Sequence, residues 1–237
     1  GYGTNKNSSN SLFVHPSLAL DASNGLPLGF SSLRIWGRGN RSRRGTHERK
    51  STLIQEKESY RWLESAQNTS EHIPNHVRKT MVGDRENDVY EVMCGTLHCG
   101  CDFLIRSSSN RTTTLEKKKL SEIMEHARVS CTYELPLIGH MGRKNRPAVM
   151  ELRFTEVTLL APSSALSEVP KELRVWCIHT KEKPESVPEG EEPIEWRLLT
   201  SHEVTTSVQA LQQVEMDNRE SIPCREVERV LSECCSD

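Results

Sequence analysis

Residues 77–106 read VRKTMVGDRENDVYEVMCGTLHCGCDFLIR, and the order of signals inside them decides the fold. Val77 to Val82 is a short apolar run that ends at Gly83-Asp84. From Asn87 the pattern turns helical and carries Val89, Tyr90, Val92 and Met93 inward, and Asp102 to Arg106 is a second compact strand. Strand, helix, strand is an α/β signature. It puts Asp84 at the end of a strand, where α/β sheets present ligand-binding groups because the carboxyl end of a strand opens into a crevice. A carboxylate there also caps the following turn by accepting its free N–H groups.

The same alternation extends outward. Ser11 to Trp36 reads as a β-hairpin, with Leu12, Val14, Leu18 and Leu20 on one arm, a turn at Asp21 to Gly25, and Leu26, Leu28, Phe30, Leu33 and Ile35 on the other. Gly37 to Thr46 has no apolar periodicity and reads as a loop. Thr52 to Ala66 is helical in pattern, with Tyr60 and Leu63 near one face. After the polar tract Ser107 to Thr114, a short helix is expected around Leu120 to Ala127. Strands are expected at Val129 to Ile138, Ala148 to Leu160, Leu173 to His179 and Ile194 to Thr200, so a β-rich block interrupts the α/β plan. Val204 to Met216 is helical again, and the tail from Asp217 shows no clean periodicity.

At 35% hydrophobic and 27% charged residues, with a mean hydropathy of −0.61, the chain is polar but long enough to bury a core. Its net charge of −2 does not by itself point to nucleic acid. The distribution is uneven: Arg34, Arg38, Arg41, Arg43, Arg44, Arg49 and Lys50 face only Glu48, whereas Glu182 to Glu195 is mostly acidic. Such a run makes a basic face or a solvated loop. No apolar run approaches the roughly 20 residues of a membrane span, so a cytoplasmic location without a membrane partner is expected. Cys94, His98, Cys99 and Cys101 have the ligand types zinc prefers, but their spacing is poor for a site and no second pair follows. Buried thiols are the expectation.

Asp84-Arg85-Glu86 and Asp88-Val89-Tyr90 follow Gly25-Leu26-Pro27-Leu28-Gly29 and Arg61-Trp62-Leu63, and they precede Phe103-Leu104-Ile105-Arg106. In that order, over residues 10 to 216, these strings resemble the DDE transposases of bacterial insertion sequences, in the insertion-sequence-four group. The resemblance implies an α/β, RNase H-like mixed sheet with an inserted β-rich subdomain. It divides the chain into a partial catalytic core (1–111), the insertion (112–203), and the start of a C-terminal core helix with a divergent tail (204–237). It also implies metal-dependent DNA cleavage and strand transfer in cut-and-paste transposition. Three acids there hold two Mg²⁺ or Mn²⁺ ions, which activate the attacking oxygen and stabilise the leaving one.

By the resemblance, Asp84 is the second acid, catalytic and metal-binding. The first lies on a strand before the hairpin, ahead of Gly1. The third belongs to a helix motif with Tyr, Arg and Glu. Residues 217–237 contain no Tyr, and the role passes to none of Glu220, Glu226 and Glu228. A frameshift near Met216 explains the loss if a shifted frame of the gene encodes the motif.

The resemblance further implies double-stranded DNA, transposon ends and target, as partner. It places phosphate contacts on Arg85, Arg106, Asn110 and Arg111. Trp196 is either a stacking platform for a flipped base or a core aromatic. The two-metal site and a homodimer are expected only of the complete enzyme, and this chain is expected to be inactive by itself. The alternative is a non-catalytic derivative that binds transposon-end DNA or a transposase partner.

Overall fold

A computed structural model describes residues 12–37, 60–137 and 145–218. The basic run from Arg38 to Lys50, the first part of the expected helix at 52–66, the loop at 142–144 and the tail beyond Asn218 lie outside the described residues.

The first two strands, β1 (Leu12–Leu20) and β2 (Pro27–Gly37), form the expected hairpin. Its turn is held by the Asp21 side chain, which accepts from Ser23 N at 2.8 Å, and by Gly25, whose φ of 75° only a residue without a Cβ adopts freely. Helix α1 (Tyr60–His72) lies against β2. Then come β3 (Thr80–Gly83), a single 3₁₀ turn (Arg85–Asn87), α2 (Tyr90–His98) and β4 (Asp102–Arg106). β3 and β4 run parallel with α2 as their crossover, and the chain is an α/β fold.

The β-rich block continues that sheet. α3 (Leu120–His126) precedes β5 (Val129–Leu137), β6 (Arg146–Leu160), β7 (Glu172–Glu182) and β8 (Glu195–Thr200), and a helix at 207–218, α4, follows. The six-stranded sheet has the order β3-β4-β8-β7-β6-β5, so β8 hydrogen-bonds directly to the first parallel pair. One sheet face packs Val157, Val175, Cys177 and Leu199 against Tyr90 and Met93 of α2 and Leu120 and Met124 of α3. The other packs Met150, Leu152, Ile178 and Leu198 against Ala210 and Val214 of α4. Both faces are covered, as a sheet containing a parallel pair requires. No helix among the described residues is long and apolar enough to cross a membrane.

Candidate functional site

Strand direction gathers the site. Because β3 and β4 are parallel, with Gly83 beside Ile105, their carboxyl ends open at the same sheet edge. β8 runs antiparallel to β4, with Leu198 opposite Arg106, so the beginning of β8 brings Trp196 and Arg197 to that edge as well. Asp84, Arg85, Arg106 and Trp196 therefore converge from three strands.

Asp84 is exposed and caps the 3₁₀ turn, its Oδ1 accepting from Glu86 N at 2.9 Å. Gly83 fixes that arrangement: a Cβ there would collide with the buried Asn87 side chain. Gly83→Ala is expected to cost about 1–3 kcal/mol, as overpacking does, and to displace Asp84; chemical denaturation measures the first. An unchanged unfolding midpoint would show that Asn87 can move aside.

Arg61 of α1 reaches the turn, its Nη2 donating to Glu86 Oε2 at 2.5 Å while its guanidinium lies over Trp62 at 5.2 Å. Arg106 is also engaged. Its guanidinium sits 5.5 Å over the Trp196 ring and donates through Nη2 to Asp217 Oδ2 at 2.5 Å. The Asp217 side chain is 3% exposed, and burial pushes its carboxyl up against the opposing pull of Arg106. Arg85 is exposed and, among the described residues, its side chain has no hydrogen-bond or ion-pair partner. It lines an open cleft of about 440 Å³ with Ser107, Ser108, Glu195, Trp196 and Arg197.

The loop after β4 is anchored by a buried carboxylate. Asp88 Oδ2 accepts from Ser108 N and Ser109 N, both at 2.7 Å, and its Oδ1 accepts from Arg111 Nε at 2.9 Å. Arg111 Nη2 donates to the same carboxylate and to Asp88 O at 2.7 Å. Arg111 thus faces inward, its side chain 9% exposed, and does not join the cleft. Asn110 is turned away too: its side chain accepts from Ser121 N at 3.0 Å and donates to Ser121 Oγ at 2.8 Å, pinning the first turn of α3. Both residues support the loop rather than line the cleft.

Trp196 is 9% exposed and belongs to the core cluster with Leu104 and Leu198, yet one side of it borders the cleft. Its Nε1 is buried without a hydrogen-bond partner among the described residues. Next to it, Glu195 accepts from Arg197 Nη2 and pairs with His179 Nε2, each at 2.9 Å. His15 of β1 stands edge-on to Trp62 at 4.3 Å and senses Asp84 electrostatically. Sequence reasoning missed His15, Asp217, Glu195 and Arg197. Only Arg197 carried a signal, as a basic residue adjoining Trp196.

No family model and no curated protein matches this chain.

The carboxylates near Asp84 have other partners. Glu86 is on Arg61 and Asp88 is on Arg111, and among the described residues no group of three or more His, Cys, Asp or Glu is placed to hold a metal ion. Mg²⁺ takes several hard oxygen ligands, so the described residues do not fit a two-metal centre, and no chemical step can be derived through one. In the cysteine cluster, burial pushes the Cys94 thiol up to about 11 and raises Cys101, which keeps both protonated near neutral pH.

Proposed function

We propose that this chain is core and insertion of a DDE-type insertion-sequence transposase with an RNase H-like sheet, and that by itself it binds double-stranded DNA without cutting it. The observation that carries the reading is the open cleft that Arg85, Ser107, Ser108, Trp196 and Arg197 line at the carboxyl end of the parallel pair, the sheet edge to which β3 and β4 also bring Asp84 and Arg106. Arginines beside serine hydroxyls suit phosphate oxygens, and one face of an indole against a cleft suits a base. Arg85, with no partner of its own among the described residues, is the readiest phosphate contact. A cytoplasmic location fits a DNA-directed activity.

Two measurements test this. Fluorescence anisotropy with a labelled random-sequence duplex, over roughly 50 to 200 mM salt, is expected to show salt-sensitive binding. Arg85→Ala should weaken it and lower the log–log salt slope by about one. A nicking assay with Mg²⁺ or Mn²⁺ on supercoiled DNA is expected to show no cleavage. Metal-dependent nicking by the purified chain would overturn the binding-only part, and absence of binding at the lowest salt would overturn the DNA reading altogether.

A further inference from the structure

The hairpin is inside out. Its side toward α1 is largely polar: Ser32 is buried and its hydroxyl accepts from Asn68 Nδ2 at 2.9 Å, Ser31 accepts from Thr69 Oγ1 at 2.9 Å, Arg34 pairs with Glu64, and His15 rests on Trp62. The side facing away from α1 is apolar. Cross-strand register places Val14 opposite Ile35, Pro16 opposite Leu33 and Leu18 opposite Phe30. A register shift between Ser17 and Leu18 puts Phe30 and Leu33, three residues apart, on the same face. Leu28, two residues before Phe30, extends it.

These side chains meet solvent. Leu28 is 70% exposed, Ile35 59%, Phe30 56%, Leu33 54% and Val14 46%. At roughly 100 Å² apiece, five such residues form an apolar patch of about 500 Å², near the upper end for a soluble monomer. A hairpin alone is marginal in water, and this one gains support from α1 on one side only.

We propose that this face is an interface between two copies of the chain, packed hairpin on hairpin about a two-fold axis. Three observations favour a second copy over other occupants. The residues named on the face carry no charge, so identical faces meet without repulsion. Face-to-face packing of two sheets needs only apolar side chains in alternate positions, which each hairpin already presents. Two such patches bury about 1,000 Å², the lower bound for a specific interface. Residues 219–237, by contrast, include Arg219, Glu220, Arg225, Glu226, Glu228, Arg229, Glu233 and Asp237, a composition ill-suited to a neutral apolar face. The interface is separate from the Asp84 cleft and does not depend on the DNA reading.

The test is sedimentation velocity on the full chain over a concentration series, paired with hydrogen exchange at both ends of it. The expected result is a reversible monomer–dimer equilibrium in which residues 12–20 and 27–37 gain protection at high concentration. Leu33→Lys is expected to weaken association at least tenfold. Leu115→Lys, which alters an exposed residue elsewhere, should leave association unchanged. Because Leu33 points away from α1, circular dichroism of the variant should match the parent, and the exchange data on the unaltered chain stand without any variant. A chain monomeric at every concentration overturns the proposal, as does a dimer that Leu33→Lys does not weaken or that protects other segments.

Discussion

Asp88→Ala is expected to lower the unfolding free energy by about 3–5 kcal/mol, read from urea denaturation, which makes it among the most damaging single substitutions available in this chain. The carboxylate is fully buried and the Arg111 side chain nearly so. Removing the acid leaves a guanidinium charge in a low-dielectric pocket with no counter-ion. It also leaves the Ser108 and Ser109 amides, each now 2.7 Å from Asp88 Oδ2, without an acceptor. A control separates these effects from lost packing. The double variant Asp88→Leu, Arg111→Met replaces both charges by apolar groups and should recover much of the loss, because a buried pair contributes little beyond its own desolvation cost. A single variant within about 1 kcal/mol of the parent would show that water reaches the pair. The consequence for the site is direct: Ser107 and Ser108 line the cleft, and the carboxylate that holds them lies beneath it.

The contrast between Asp88 and Asp84 shows where sequence reading stops. Both sit in the same five residues, and strand-end logic singles out Asp84. Nothing local reveals that Asp88 is buried, because its partner Arg111 is 23 residues away across a loop. The order of strands and helices was legible because apolar alternation and helical spacing are local properties. Asp102–Arg106 is a strand with the bounds its composition suggests, and the four strands of the β-rich block begin and end within a few residues of expectation.

What alternation cannot tell is which face of a strand turns inward. β1 and β2 read as a hairpin of alternating apolar residues, and in the fold its polar side meets α1 while its apolar side meets solvent. Asn110 and Arg111 read as loop polarity available to phosphate, but Asn110 is spent on the start of α3 and Arg111 on Asp88. Asp217 opens a stretch without periodicity, so its burial beside Arg106 depends wholly on how α4 packs across the sheet.

Acidification from pH 6.5 toward 4 should destabilise the fold before most of its carboxylates titrate. Burial is the largest reason the His15 pKa is lowered from 6.5 to about 4, with the positive charges of Arg61 and Arg34 adding to it and Asp84 opposing. Burial also lowers His179 and His202, against the pull of Glu195 and Asp102 respectively. An unfolded histidine takes its proton near pH 6.5, whereas folded His15 resists until about pH 4. Between those values the unfolded state holds more protons, so stability present above pH 6.5 is lost as pH falls. At up to about 1.4 kcal/mol per pH unit, the span from 6.5 to about 4 is worth at most about 3.5 kcal/mol, and solvent screening of a ring that is only part-buried brings the His15 contribution to roughly 2–3 kcal/mol.

The opposing groups fall into two sets. Asp102, Glu182 and Glu195 have lowered pKa values and give up their stabilisation only at still lower pH. Asp217, raised by burial, gains on protonation and partly offsets the histidines above pH 4. Thermal melts at half-unit steps should therefore show Tm falling below pH 6.5 in the parent and falling less in His15→Gln, which cannot charge. Identical pH slopes in the two proteins would show that His15 is not the titrating group. Because His15 docks β1 on Trp62, the same protonation should loosen the hairpin first, read as faster hydrogen exchange in residues 12–20 than in β6 or β7.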